Sequence, residues 1–251
     1  MWILENKITQ FNRTELLFGG DAITKFQQTR VVVMGLGGVG SFAAEALVRS
    51  GIGKILLVDF DTVGFSNLNR QIPALHSTLG KLKTEVVRDR MLDINPKLEI
   101  EIYSDFCADE SREFLLENVD FVVDAIDSLG QKASLLESVY HKKIPVISSM
   151  GAASRIDPAK IELCDISKTK VCPLARKLRK YLHRRGIYEG IPVVYSTESP
   201  IPQFPFASGS EAEWQGGRGR KRGTLGSVVY LPAIMGMWVA SYVLRKLVAT
   251  Q

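Results

Sequence analysis

Cysteine and histidine are scarce in this chain. Its 251 residues include three cysteines, Cys107, Cys164 and Cys172, and three histidines, His76, His141 and His183. The cysteines make no close pair and no Cys-x-x-Cys, which excludes a four-thiolate zinc site on ligand count and gives no disulfide framework. The histidines share no ligand spacing, so a histidine metal centre finds no support. The N-terminal stretch lacks the apolar core and small-residue cleavage site of a secretory signal. With an odd number of thiols, that makes a reducing cytoplasm the expected compartment. No internal repeat occurs.

Two local absences say more. From residue 166 to residue 188 there is no acid, against eight Lys and Arg. Over the longer stretch from Ile166 to Gly223, twelve Lys and Arg face four Asp and Glu, a local balance of +8 in a chain of net charge +5. The whole basic excess therefore sits in one segment and points to a polyanionic partner. Charge of either sign is missing over the 21 positions from Thr224 to Leu244, a run long enough to span a bilayer. Pro232, Gly226 and Gly236 dilute its hydrophobicity, and Arg245-Lys246 flank it at one end only. The run is expected to be a buried terminal helix at a subunit contact, without membrane contact.

What the chain does have is a strand–glycine–helix unit. Val31 to Met34 is an apolar run too short for a helix. Gly35-Leu-Gly-Gly-Val-Gly40 breaks it, and Ser41 to Ser50 reads as a helix packing Phe42, Ala43, Ala46 and Leu47. Missing side chains at Gly35, Gly37 and Gly40 suit a tight turn with close backbone approach. The helix N-terminus facing that turn offers free N–H groups and a dipole to phosphate. Asp59 ends the second strand (Lys54 to Val58), where a carboxylate takes the ribose hydroxyls of a nucleotide. Spacing, strand context and acid together predict nucleotide binding without saying which nucleotide.

Further strand-like runs at 98–103, 121–124 and 145–148 alternate with helical patterns at 81–94, 109–116 and 132–141. The expected class is α/β: a Rossmann-like, mostly parallel sheet with helices on both faces. A helix pair in residues 1–29 precedes it. After Gly151 the alternation is expected to stop. A possible strand at 159–166, a basic helix at 173–185, a mobile loop at 200–223 and an apolar C-terminal helix follow. Residues 1–165 read as the nucleotide-binding core, and residues 166–251 as a substrate-binding segment completing the same domain.

An oxidoreductase would need little beyond the glycine turn and Asp59. This chain adds Asp61, Asn67, Arg70 and Gln71 in the loop after the second strand, Lys83 opening a helix, and Asp124-Ala-Ile-Asp127 ending a strand. All can converge at the carboxyl edge of a parallel sheet. Arg70 and Lys83 suit phosphate oxygens, Asn67 a hydrogen bond to phosphate or the attacking group, and Asp127 a magnesium ion.

Gly35, Gly37, Gly38 and Gly40, Asp59-x-Asp61, Ser66-Asn67-x-x-Arg70-Gln71, Lys83 and Asp124-x-x-Asp127 together resemble the ThiF/MoeB/HesA family, whose fold is that of ubiquitin-activating enzymes. The resemblance runs from about Arg13 to Gly151. It implies ATP over the glycine turn with its ribose on Asp59, phosphate contacts from Asn67, Arg70 and Lys83, and magnesium on Asp127. It also implies a homodimer in which Arg13 enters the other subunit's site as a finger. The implied reaction is attack of a carboxylate on the α-phosphate of ATP, giving an acyl-adenylate and pyrophosphate.

Within the family, absence of paired Cys-x-x-Cys sets this chain apart from the sulfur-carrier activators. The stretch from Ile166 through Pro173 to Lys180, with Tyr195-Ser-Thr-Glu198, is similar to a branch acting on tRNA. That likeness implies ATP-dependent cyclisation, with loss of water, of the threonylcarbamoyl group on adenosine 37. The substrate then supplies both electrophile and nucleophile, so no enzyme thiol is needed, although a sulfur-transfer partner protein is admitted. Cys172, in a basic setting that would lower its pKa, reads either as a reactive thiol or as an incidental small residue.

A tRNA partner agrees with the basic segment. On the 173–185 helix Leu174, Leu178 and Leu182 are expected to face the core. Arg176, Lys177, Arg179, Lys180, Arg184 and Arg185 are left for solvent or phosphate. Arg218, Arg220, Lys221 and Arg222 in a glycine-rich loop resemble an RNA-binding segment that orders on binding. Adenylation of a ubiquitin-like sulfur carrier's C-terminal glycine, and a non-catalytic nucleotide-gated RNA-binding adaptor, stay open as alternatives.

Overall fold

The computed structural model describes residues 8–107, 109–204 and 225–249. Two short helices lead, α1 (Asn12–Phe18) and α2 (Gly20–Gln28), parted by Gly19 at φ 86°. The body follows as β1 (Arg30–Met34), α3 (Gly40–Ser50), β2 (Lys54–Val58), α4 (Lys83–Ile94), β3 (Glu99–Tyr103), α5 (Asp109–Leu115), β4 (Phe121–Asp124), α6 (Leu129–His141) and β5 (Val146–Ser149). Then come β6 (Ile161–Asp165), α7 (Pro173–His183), β7 (Pro192–Ser196) and α8 (Tyr230–Val248).

All strands join one sheet in the order β3-β2-β1-β4-β5-β7-β6. Each neighbouring pair is parallel except β6–β7. Central strands covered on both faces should read as unbroken apolar runs, and β1 and β2 do. Side chains alternate between faces. Val31 and Val33 enter one hydrophobic layer with Leu47 of α3 and Val239 of α8. Val32 and Met34 enter a second layer with Leu136 of α6 and Leu178 of α7.

The alternation does not end at Gly151. β7 lies between β5 and β6, parallel to the first and antiparallel to the second. Its run, Pro192-Val-Val-Tyr-Ser196, is short and opens on proline, which reads as loop. At the first position of a strand, however, the missing N–H removes no interior ladder bond. The four residues after Pro192 are buried.

α8 begins at Tyr230, with Pro232 in its first turn, and carries most of the apolar run. Leu231, Met235, Val239, Val243 and Leu247, four residues apart, form a buried stripe. It approaches α3 closely at Gly236, where a Cβ would stand 2.6 Å from the Val39 carbonyl oxygen and 2.9 Å from Phe42 Cβ. The helix is long and apolar enough to cross a membrane by length and composition, but here that stripe packs into the body of the fold. Met237 and Trp238 remain 48% and 39% exposed. Most of the loop expected to be mobile, including Arg218, Arg220, Lys221 and Arg222, lies outside the described residues.

Candidate nucleotide site

β1, β2 and β4 end side by side, which places the glycine turn, Asp59 and the 125–127 loop together. Gly35 N–H donates to the Val58 carbonyl and Ala125 N–H to the Met34 carbonyl, both at 2.8 Å. Gly35 has φ +91°, where L side chains are strained. At Gly40 a Cβ would stand 1.8 Å from the Gly35 carbonyl oxygen. No side chain fits there, so the turn can close onto the start of α3.

Asp59 holds this turn. Its Oδ2 accepts the Leu36 N–H at 2.6 Å, and its Oδ1 accepts the Asp61 N–H at 2.8 Å. Burial raises its pKa above the ordinary carboxylate value, opposed chiefly by the nearby Lys83 charge. Lys83, 4% exposed at the start of α4, donates its Nζ to Asp61 Oδ2 at 2.7 Å. A short backbone bridge, Thr62 to Leu82, fixes the two segments against each other.

The loop after β2 is organised by Asn67. Its Oδ1 accepts the Gly64 N–H at 3.1 Å, while its carbonyl accepts the N–H groups of Arg70 and Gln71. Arg70 Nη1 donates to the Ser66 carbonyl at 2.7 Å and to Asn69 Oδ1 at 2.9 Å. A Cβ on Gly38 would come 3.4 Å from the Arg70 carbonyl oxygen, so this loop abuts the glycine turn. Burial pushes the Arg70 pKa down, yet an arginine keeps its charge in proteins. Among the described residues no carboxylate forms an ion pair with it. A partly desolvated guanidinium bound only to neutral acceptors is a site prepared for an anion.

Asp127 is exposed beyond β4, on a turn anchored from below. Asp124 Oδ1 accepts the Ile126 N–H at 3.1 Å. Asp124 Oδ2 accepts from Lys132 Nζ and Ser148 Oγ, each at 2.6 Å. Lys132 Nζ also donates to the Ser149 carbonyl at 3.0 Å, and the Lys132 and Asp124 side chains are fully buried. Sequence reasoning assigned no role to Lys132, although its position carried a signal. It occupies the same helical stripe as Leu135, Leu136 and Val139, where a lysine needs a buried partner. It also passed over Arg155. That arginine is 5% exposed and ties the β5–β6 connection to the Glu198 carbonyl at 3.2 Å.

No group of three or more His, Cys, Asp or Glu stands together among the described residues. Asp127 alone would be a sparse metal ligand, but magnesium commonly takes one or two carboxylates and completes its shell with water and phosphate oxygens. The residues present fit that mode.

Arg13 lies on α1, exposed and outside the hydrogen bonds and ion pairs among the described residues. Helical spacing sets it on one face with Leu16 and Leu17, which are 86% and 83% exposed. Arg176, Lys177 and Lys180 on α7, and Arg184 just after it, are exposed. Arg179 and Arg185 are engaged within the fold. Arg179 donates to the Thr169 hydroxyl and, at 3.0 Å, to the Thr169 carbonyl, and Arg185 pairs with Glu137 at 2.6 Å. Cys172 is 2% exposed, packed in the core as a small residue ahead of α7.

The sequence pattern of the ThiF family matches residues 11–251. The chain belongs to the ThiF family. Among its ThiF-family relatives, it is 45% identical over 193 residues to the tRNA threonylcarbamoyladenosine dehydratase of Bacillus subtilis, a match covering 76% of each chain. It resembles the crystal structure of the E. coli tRNA N6-threonylcarbamoyladenosine dehydratase, TcdA, in complex with ATP. There the TM-score is 0.84 and the identity 34%, over 96% of this chain and 94% of that one. The E. coli molybdopterin-synthase adenylyltransferase matches a smaller part, 33% identical over 155 residues and 61% of each chain.

Proposed function

We propose that this protein is an ATP-dependent tRNA threonylcarbamoyladenosine dehydratase. The observation that carries the reading is Arg70, a cation short of an anion at the rim of a glycine turn. It stands in a chain whose relatives along most of its length bear that name. A structural relative of that name holds ATP.

ATP binds over the glycine turn, its ribose hydroxyls on Asp59 and its phosphates on Asn67, Arg70 and Lys83. Lys83 then exchanges Asp61 for a phosphate oxygen. Asp127 would hold a magnesium ion, which neutralises charge on the triphosphate when bound. A threonyl carboxylate oxygen attacks the α-phosphorus, the bond to the bridging oxygen breaks, and pyrophosphate leaves. The carbamoyl group of the same nucleoside attacks the acyl carbon, losing a proton, and AMP departs carrying the former carboxylate oxygen. A ring closes with net loss of water. Fixed cations aimed at the phosphates stabilise the charge developing there. A sulfur-transfer partner is not required, since electrophile and nucleophile belong to one substrate.

The active form is a homodimer. Exposed Leu16 and Leu17 beside Arg13, and exposed Met237 and Trp238 on α8, are the apolar surface such a contact would cover. Arg13 would then reach the partner's phosphates. A reducing cytoplasm suits the three free thiols.

AMP release and pyrophosphate exchange test the reading. Release should require tRNA bearing threonylcarbamoyladenosine and vanish in Asp127→Ala. Stimulation by a ubiquitin-like carrier protein and by no tRNA would overturn it in favour of carrier adenylation. Tight tRNA binding without ATP turnover would favour an adaptor.

A further inference from the structure

The outer edge of the sheet carries a second concave surface that the adenylation chemistry does not use. A groove of about 600 Å³ runs along β6 and β7, with Glu162, Cys164, Ser167, Lys168, Lys170 and Thr197 around it. That volume is in the range of ligand clefts. Glu162 and Tyr195 face each other across the antiparallel pair, and the Tyr195 hydroxyl donates to Glu162 Oε2 at 3.0 Å. Burial pushes the Tyr195 phenol far above its ordinary pKa, so it remains a neutral donor holding the carboxylate in place.

The opposite rim is basic and held still. Lys168 and Lys170 are exposed and make no ion pair among the described residues. The neighbouring carboxylate, Asp165, is occupied by the Ser167 and Gly190 N–H groups at 2.9 and 2.7 Å. Arg179 pins the loop from beneath through Thr169. Beyond Lys170 the Cys172 N–H donates back to the Lys170 carbonyl at 2.5 Å. That closes a turn centred on Val171 at φ 62°, a conformation β-branched residues rarely adopt. The loop therefore presents two uncompensated ammonium groups in a fixed place.

Thr197 follows the C-terminal end of β7, which runs parallel to β5, so this end of the groove lies at the sheet edge that carries the nucleotide site. Three strand spacings separate β1 from β7 in the sheet, about 14 Å at the usual spacing, a gap that a short single-stranded stretch can bridge.

We infer that this groove is a ribonucleotide subsite for the RNA strand beside the reacting adenosine, with phosphodiester oxygens on Lys168 and Lys170 and a ribose 2′-hydroxyl on Glu162. The inference rests on the proposed tRNA substrate and extends it to a second place of contact. Beside the two ammonium groups that take phosphate, the Glu162 carboxylate accepts a hydrogen bond from a hydroxyl, the group by which proteins tell RNA from DNA. The exposed Arg176, Lys177 and Lys180 of α7 follow in the same basic stretch and extend the phosphate path.

The test uses the full chain, with tRNA binding measured across a salt series and ATP binding measured in parallel. Lys168→Ala/Lys170→Ala should retain ATP affinity. The slope of log affinity against log salt should become shallower by about 1.4, the value for two single-strand phosphate contacts. Glu162→Ala should narrow the preference for an RNA stem-loop over its DNA counterpart by about tenfold, as for a lost hydrogen bond to a charged group. In the unaltered protein, photo-crosslinking to thiouridine-bearing RNA should label the peptide containing Glu162 to Lys170. If tRNA supports AMP release while the double variant keeps the wild-type slope, or that peptide stays unlabelled, the subsite is overturned and the dehydratase reading stands. If the unaltered protein neither binds tRNA nor turns over ATP with it, the dehydratase reading itself fails, and the subsite with it.

Discussion

Lys132 and Asp124 form an ion pair with no exposure to water, 2.6 Å apart directly beneath the turn that carries Asp127. Removing one partner from such a pair leaves the other charge buried and unmatched. Lys132→Met is therefore expected to cost about 3–5 kcal/mol in urea unfolding, and adding Asp124→Leu should recover much of the loss. Arg70 lies beside the same turn and donates only to neutral acceptors, the Ser66 carbonyl and Asn69 Oδ1; in the proposed site its charge serves the phosphates. Arg70→Ala should leave stability near wild type and lower pyrophosphate exchange by roughly a hundredfold or more, as for loss of a donor aimed at developing charge. Arg70, Lys83 and Asp127 could be picked out from the chain because such side chains at strand ends serve ligands more readily than packing. Lys132 could not be given a partner. What it meets, Ser148 and Ser149, lies on another strand, and only the parallel pairing of β4 with β5 brings them beneath it.

Glu45 on α3 receives Arg49 from its own helix at 2.8 Å and Arg90 from α4 at 2.7 Å. Burial works against its charged form, but the two guanidinium groups prevail and hold its pKa below the ordinary value. A carboxylate depressed in this way contributes stability above its unfolded pKa and loses it as pH falls through the lower folded one. Thermal melts of Glu45→Gln should show a cost of about 1 kcal/mol at neutral pH, as for a partly exposed pair, shrinking to nothing in acid. At the α3–α8 contact, Gly236→Ala would push a methyl group to 2.6 Å from a backbone carbonyl. It should lose about 1–3 kcal/mol by overpacking. The periodicity of β1, α3 and β2 made that half of the sheet readable, whereas β7 was hidden behind its leading proline. The antiparallel β6 broke the alternation on which the reading of parallel units relied.

For the whole molecule, the proposal needs two copies and one RNA. With Arg13 acting across the dimer, Arg13→Ala and Asp127→Ala should each be inactive alone and regain activity when mixed and reassembled. In the mixed dimer one site keeps its own Asp127 and receives an intact Arg13 from its partner. Activity of Arg13→Ala alone would show that Arg13 has no catalytic part, and failure of two inactive variants to regain activity in mixed dimers would show that Arg13 acts within its own chain. The charge of the basic segment alone pointed to an anionic partner. Which of its cations face outward depended on packing, since Arg179 and Arg185 are engaged by Thr169 and Glu137.

The mass of a nucleoside reads the proposed reaction directly. Cellular tRNA incubated with the protein, ATP and magnesium, then digested, should yield threonylcarbamoyladenosine lighter by one water, with one AMP released per nucleoside changed. An unchanged nucleoside mass, while the same preparation binds both ATP and tRNA, would contradict it.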